Sequence, residues 1–491
     1  MSAPPIRDDR QVSWGVRVAY GTGSAADGVK NAVFNAFLVL YYTTVLGLPG
    51  TLSGLAIFIA LCVDAITDPL VGSISDNLRS RWGRRHPFMY SAALPMAACL
   101  YGLFAPPEGL GNAGLFAWLL SFSIGVRLFL TFYMVPSNAM GPEMTTHYDE
   151  RTTLVSFRWL IGWTGSIAIT TAGWLVFLAD SGEQVGEGRL AAENYPALGL
   201  CAGAIVLVAI LISSVGTHSV IPRLRQSTNV GPAFSLSRFF REVRSALSSH
   251  SLRLLLASSL FGATALGVEE VLRSYMGTWF WEFHSDDLGL LSALQLFAIL
   301  AGVMMARPFS QAMDKRSAAI RLALFAILWG PLPVLLRFAG LAPENGSPWL
   351  LVMIVVHGGL LVIAAIQIGI LNSSMIMDAV DEGELATGLR QEGVFVSVIS
   401  FTGKAVSGFG NFLGGVVLDV IRFPTGPEAA SVGQVPAEAI FKLGLVAGPG
   451  LVVFYLCSVW FLTRLRLTRA RYAEISAALA DRKRQQGPGP E

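Results

Sequence analysis

Asp64 and Asp68 stand four residues apart in the run L-C-V-D-A-I-T-D-P-L-V-G, residues 61–72. On a helix that spacing puts both carboxylates on one face, one turn apart. The run is apolar enough to lie in a bilayer, where an ionised side chain needs a partner, a proton or a cation. Two carboxylates this close resist ionising together, so a cation between them or a proton on one resolves the conflict. Thr67 on the same helix and Thr131 further on add hydroxyl oxygens, and oxygen donors of this kind suit Na⁺. Na⁺ bound by Asp64 and Asp68 is therefore the expected chemistry, with H⁺ as the rival. The plain alternative is that Asp68 only pairs with a base.

Other polar residues stand where polarity is costly. Asp27, Lys30 and Asn31 share a helix face, as an internal ion pair or as part of a solute site. Arg127 either opposes an acid or snorkels to an interface. Asn138 lies just past Pro136, and Arg158 one turn into a later span. Glu269, Glu270 and Arg273 form either a trap for a cationic or zwitterionic solute or a gate salt bridge. Lys404, among small residues in F-T-G-K-A-V-S-G-F-G, is expected to pair with Asp64 or Asp68 and to sense whether the ion is bound. Asp76, Arg84, Arg85, Glu143 and Arg151 lie at the arginine-rich ends of one half of the chain. Asp314, Arg316, Asp378, Asp381 and Arg390 lie at those of the other. They are expected to form inner-gate salt bridges, against the reading of each as ordinary loop charge.

These residues need helices that cross a membrane. The chain has 491 residues, 53% hydrophobic and 14% charged, with mean hydropathy +0.56. A soluble protein carries about 25% charged residues. A span takes about 20 mostly apolar residues, and that ruler gives twelve candidates. They lie near 18–46, 51–75, 87–105, 112–138, 153–179, 197–221, 254–281, 288–311, 317–340, 348–377, 391–421 and 438–464. Arg and Lys crowd the loops after spans 2, 6 and 8 and the tail, which predicts both termini in the cytoplasm. The fold class expected is all-α, in two six-helix halves: 1–221 and 254–466, with a linker at 222–253 and a tail at 467–491. Ser235–Ser249 and 465–484 carry apolar faces beside arginines, which predicts helices lying on the inner leaflet. The two halves echo each other after their second and fourth spans, and parallel six-span repeats of this kind build transporters with a midplane site.

No metalloprotease, nucleophile-elbow, phosphate-loop or zinc pattern is present. The four cysteines and six histidines are scattered. An enzyme is not expected, nor a cofactor, nor a nucleic-acid partner; the partners expected are membrane lipids and a small-molecule solute. With no nucleotide-binding segment in the sequence, uphill transport must draw on an ion gradient.

Four stretches carry a resemblance: Y-G-T-G at Tyr20, D-A-I-T-D-P-L-V-G through R-S-R-W-G-R-R-H-P-F, M-V-P-S-N-A through D-E-R-T-T-L, and M-D-A-V-D-E-G-E through F-T-G-K. Together they resemble the glycoside–pentoside–hexuronide:cation symporters, the melibiose permease-like group of the major facilitator superfamily. The resemblance implies a twelve-helix multi-pass protein of the cell membrane, expected as a monomer, that carries a solute in symport with Na⁺, Li⁺ or H⁺. By position it implies that Asp64, Asp68, Thr67 and Thr131 serve the cation, that Lys404 couples, and that Arg158 serves the sugar. The family's sugar-binding Asp and Trp on the fourth helix are Met134 and Asn138 here, and its first-helix Asp falls at Gly28, beside Asp27. Solute candidates are therefore Asp27, Asn31, Met134, Asn138, Arg158, Glu269, Arg273 and Asn372. The expected activity is cation-coupled symport of a sugar or glycoside by alternating access. The alternatives are a sodium-coupled lysophospholipid symporter, which also resembles the chain, and a membrane sensor that transports nothing.

Overall fold

The computed structural model describes residues 12–145, 148–180, 182, 184–224, 249–387, 406, 408–426 and 432–485. Lys404, Arg390 and most of the 235–249 helix expectation lie outside the described residues. The chain is an all-α integral membrane protein. Two compact units emerge: Met1–Phe234 with His284–Ala293 and Pro424–Ser431, and Ser235–Phe283 with Leu294–Phe423 and Val432–Glu491.

Among the described residues, nine helical segments are long and apolar enough to cross a bilayer. The other three expected spans differ for separate reasons. The first is broken into α1 (Trp14–Thr22) and α2 (Ala25–Val33), followed by π-helical turns at Phe34–Leu38 and Leu40–Val45. The third is α4 (His86–Leu103), an 18-residue helix that carries Pro95 inside it. Most of 391–421 lies outside the described residues.

The first unit holds α1, α2, α3 (Gly50–Asn77), α4, α5 (Asn112–Met144), α6 (Tyr148–Ala172) and α7 (Tyr195–Gly216). Helix α3 starts after Pro49; within its apolar stretch one turn carries Asp64, Thr67 and Asp68, and its last turns carry Ser73, Ser75, Asp76 and Asn77. Pro69 sits inside it, and without an N–H it cannot complete the helical bond to the Ala65 carbonyl. Helix α2 crosses α6 at glycines. A Cβ on Gly28 would lie 2.0 Å from the Gly162 carbonyl oxygen. The backbone of α6 thus fills the place where the family resemblance puts an acidic side chain, and only glycine fits there.

At one end of this unit Asp180 ties a loop together. It accepts from the backbone N–H groups of Gly188 and Ser285, at 3.3 and 3.0 Å, and lies 3.7 Å from the fully buried Arg189. At the other end Glu143 accepts from both Arg84 and Arg85, and Asp76 lies 3.4 Å from Arg85. Arg151, expected in that salt-bridge set, instead donates to the backbone carbonyls of Thr145 and Pro142.

The second unit holds α8 (His250–Tyr275), most of α9 (Ser285–Ala312), α10 (Lys315–Trp329), α11 (Leu332–Phe338), α12 (Pro348–Thr387), α13 (Ala437–Ala447), α14 (Val452–Arg464) and α15 (Arg469–Gln485). Helix α12 runs 40 residues, ten beyond the predicted end of its span, and carries Asp378 and Asp381 on unbroken helix. Lys315 pairs with Asp378 at 2.7 Å. Asp314 caps α10 through the Ser317 N–H and also accepts from the Arg469 N–H at 2.8 Å. Arg316 makes no ion pair with these acids; it donates to the carbonyls of Leu462 and Thr463 at the end of α14.

The tail helix α15 corrects a second expectation. Its apolar face is covered by its own chain rather than turned to lipid: Leu467 and Ile475 are buried in one core with Leu371, Met375, Ala379 and Leu462. Tyr472 donates to Asp381 at 2.9 Å, and Lys315 stands over the Tyr472 ring. Packing won because the long α12, together with the end of α14, offers an apolar surface to it.

Gly28→Ala should lower the melting temperature of the purified protein by several degrees, from an overpacking cost of about 1–3 kcal/mol. Gly358, with open space around it, is the control. Gly358→Ala should leave the melting temperature unchanged or raise it, and a Gly28→Ala protein as stable as this control would contradict the crossing.

Candidate functional site

The two carboxylates of α3 meet one hydroxyl from α5. Thr131 Oγ1 lies 2.8 Å from Asp64 Oδ1 and 2.8 Å from Asp68 Oδ1. A hydroxyl has one proton, so it cannot give a full hydrogen bond to both at once. Thr131 and Asp64 are both buried. Thr67 spends its proton on the Asp64 carbonyl, 3.1 Å away, one turn back along its own helix.

Arg127 is one turn before Thr131 on α5, and its guanidinium lies 3.8 Å from Asp64 Oδ2 and over the Phe34 ring. Of the two readings open in the sequence, the structure selects the counter-charge over the snorkel. Arg127 is only 7% exposed, and an unpaired charge so buried would be strongly unfavourable. Asp27 and Asp64 both act electrostatically on it.

Helix α2 supplies a second charged group. Lys30 lies 3.3 Å from Asp27 and donates to Asn31 Oδ1 at 2.6 Å, while Asn31 donates back to Asp27. The ammonium is buried, whereas Asn31 and Asn35 are exposed. Side chains at positions 27, 31 and 35 recur every four residues, and such a polar stripe on a membrane helix belongs against water rather than lipid.

Arg158 of α6 is buried at 8% exposure. It donates to Ser137 Oγ at 2.8 Å and to the Met134 sulfur at 3.5 Å, and its guanidinium stands over the Tyr20 ring. Asn138, next along α5, is exposed. Ser137 and Tyr20 were not singled out by sequence reasoning. Tyr20 falls in a recognised motif without a role, and a serine beside a proline gives no signal.

In the second unit Arg273 lies 3.6 Å from Glu269 and 3.3 Å from Glu270, and Tyr455 donates to Glu269. These three charges near the end of α8 are therefore spent on one another. Asn372 of α12 keeps a buried Oδ1 with no hydrogen-bond partner among the described residues. The structure thus brings Asp64, Asp68 and Thr131 together and sets Met134 beside Arg158. It gives Asp27 and Asn31 to Lys30, and Glu269 to Arg273. Lys404, the expected partner of the carboxylates, lies outside the described residues. Among those residues no cluster of three or more His, Cys, Asp or Glu could hold a metal ion.

If the shared hydroxyl organises the two carboxylates, Thr131→Ser should keep cation-dependent thermal stabilisation and Thr131→Val should weaken cation affinity about tenfold to a hundredfold, since hydrogen bonds to charged groups are worth about 1.5–3 kcal/mol. A Thr131→Val protein with wild-type cation dependence would contradict that role.

Comparison with known proteins shows the family and the fold. A family described as MFS/sugar transport protein matches residues 19–469. The isoprimeverose transporter of Lactiplantibacillus pentosus is 25% identical over 83% of this chain and 80% of its own. The glucuronide carrier protein homolog of Escherichia coli is 24% identical over 97% of this chain and 98% of its own. In fold, the chain is similar to the xylose transporter of E. coli in a partially occluded inward-open conformation, with a TM-score of 0.58 at 13% identity, covering 93% of this chain and 98% of that one. These are transporters and not enzymes, and a match that takes in the two carboxylates, the shared threonine and both buried arginines shows that this chain belongs to the MFS/sugar transport protein family.

Proposed function

We propose that the protein is a cation-coupled symporter that moves a sugar or glycoside by alternating access. The observation that carries this reading is the Thr131 hydroxyl placed 2.8 Å from each of two carboxylates inside a membrane helix pair. Asp64, Asp68 and Thr131 bind the coupling ion, with Na⁺ as first choice and H⁺ as rival. Arg127 balances part of the charge, so the site need not reach a full double negative before the ion arrives. Lys404 is the coupling residue carried over from the sequence reading.

The solute is placed against α2, α5 and α6, near the Asp27–Asn31–Asn35 stripe, Asn138 and Arg158. The exposed amides of Asn31, Asn35 and Asn138 suit a polyhydroxylated solute, because each solute hydroxyl left without a partner would weaken binding. A lysophospholipid finds less support: Arg273 is already bound by Glu269 and Glu270, leaving no open zwitterion trap on α8. The salt bridges of Arg84 and Arg85 with Glu143, and of Lys315 with Asp378, fit inner-gate roles within their own units, on the side where the arginine-rich loops place the cytoplasm. A sensor that moved nothing would have no need to keep a paired-carboxylate ion site buried in the membrane.

In proteoliposomes, uptake of a transported sugar should follow an imposed Na⁺ gradient, and Asp68→Asn should cut ion-driven accumulation to less than about a tenth, the effect of losing one charged ligand worth about 1.5–3 kcal/mol. Accumulation driven by a pH gradient with Na⁺ absent would transfer the coupling role to H⁺. Normal accumulation by Asp68→Asn under either gradient would refute ion coupling at this pair.

A further inference from the structure

Asp64 presents its two oxygens to different groups. Oδ1 faces the Thr131 hydroxyl at 2.8 Å, and Oδ2 faces the Arg127 guanidinium at 3.8 Å. The second contact is an ion pair, longer than a hydrogen bond. Arg127 Nε is itself buried without a hydrogen-bond partner among the described residues. Lys30, the other buried cation nearby, is held more closely, at 2.6 Å by Asn31 and 3.3 Å by Asp27. A buried guanidinium so loosely held costs more than one in a closed pair, and it is poised to change the acid it faces. Asp27 is the second carboxylate that acts on it electrostatically. The guanidinium stands over the Phe34 ring, 5.2 Å from its centroid. Phe34 opens the π-helical turn Phe34–Leu38, which holds the exposed Asn35. Arg127 thus lies between the ion cluster and the turn that continues the polar stripe of α2.

We infer that Arg127 competes with the coupling ion for Asp64 and passes the outcome to the solute-facing stripe of α2, setting both the affinity of the ion site and the coupling of ion to solute. This rests on the ion-coupled reading given above and deepens it. Asp64 carries one negative charge and cannot hold two cations at full strength. Na⁺ settling on Asp64 Oδ1, Asp68 and Thr131 weakens the pull on Arg127. The guanidinium is then drawn toward Asp27, the other acid in its field, and loosens the Asp27–Lys30 pair. Phe34 feels the same shift, and with it the π turn; turns of this kind recur at functional sites. Arg127 binds neither ion nor solute. It is a positioning residue that acts through Asp64 and Phe34.

The test uses the purified full-length protein without solute. Na⁺ affinity is read from Na⁺-dependent thermal stabilisation, with choline replacing Na⁺ at constant ionic strength. Arg127→Gln should bind Na⁺ about tenfold or more tighter, since one neighbouring charge shifts a binding equilibrium of this kind by about tenfold to a thousandfold. Arg127→Lys, which keeps the charge, should stay within about threefold of wild type. Structural damage alone would weaken the ion site, so equal or weaker Na⁺ binding by Arg127→Gln would overturn the inference and leave ion coupling at Asp64 and Asp68 standing. A wild-type protein that gains no stability from Na⁺ would refute Na⁺ as the ligand, and the inference with it. A second readout follows the stripe. In Asn35→Cys protein, maleimide labelling at position 35, separated from the native cysteines by peptide mass spectrometry, should change in rate about fivefold or more on adding Na⁺. Arg127→Gln in that background should abolish the Na⁺ effect. Phe34→Leu keeps every charge, so it should retain wild-type Na⁺ affinity and lose the effect, and it decides the matter even if Arg127→Gln fails to fold. A Na⁺ effect at position 35 that persists in Phe34→Leu, or that is absent with Asn35→Cys alone, would overturn the inference.

Discussion

One hydroxyl between two carboxylates sets the terms for the rest of the first unit. Asp64 and Asp68 approach because helical spacing puts them a turn apart, and Thr131 reaches both from α5. A single proton cannot satisfy two ionised acceptors in a medium of low dielectric. The cluster therefore gathers two acidic acceptors around one donated proton. Around it the chain spends charge sparingly: Arg127 faces Asp64, Lys30 faces Asp27, and the π-helical turns after α2 bring Phe34 under the Arg127 guanidinium.

Packing makes that arrangement possible. The close crossing of α2 and α6 at Gly28 and Gly162 forbids a side chain at position 28, and Tyr20 of α1 stands over the Arg158 guanidinium of α6. In the second unit a comparable close approach joins Gly267 to Gly410, where an added Cβ would meet backbone at 2.8 Å. Where helices meet through glycine, small relative movements need not break side-chain interdigitation. The arginine-rich ends are stiffer. Arg85 is almost fully buried against Glu143, and the tail helix seals Asp381 and Asp314 through Tyr472 and the Arg469 backbone.

Much of this was legible in the sequence because membrane helices obey a severe rule: a charge inside an apolar run must have a reason. That rule alone singled out Asp64, Asp68, Asp27, Lys30, Arg127 and Arg158. Pairing across helices was not legible, since Arg127 and Asp64 are separated by α4 and the loops on either side of it. The shared use of Thr131 could be suspected from position but not seen. The broken first span escaped because its hydropathy is continuous while its backbone is not, and the docking of the tail escaped because an amphipathic helix looks the same whether protein or lipid covers it. Ser137 and Tyr20 gave no signal because neither residue type is costly enough in a membrane to be noticed.

The central claim is that ion and solute share one binding free energy. Linkage requires that an ion which raises solute affinity be bound more tightly, by the same factor, when solute is present. The direct measurement is calorimetric titration of the transported sugar into purified protein at fixed pH, with and without Na⁺, and the reverse titration of Na⁺ with and without sugar. The account predicts that both affinities rise by the same factor, and that the effect vanishes in Asp64→Asn. Equal sugar affinity with and without Na⁺, at a pH where protons cannot substitute, would contradict Na⁺ coupling through the Asp64–Thr131–Asp68 cluster.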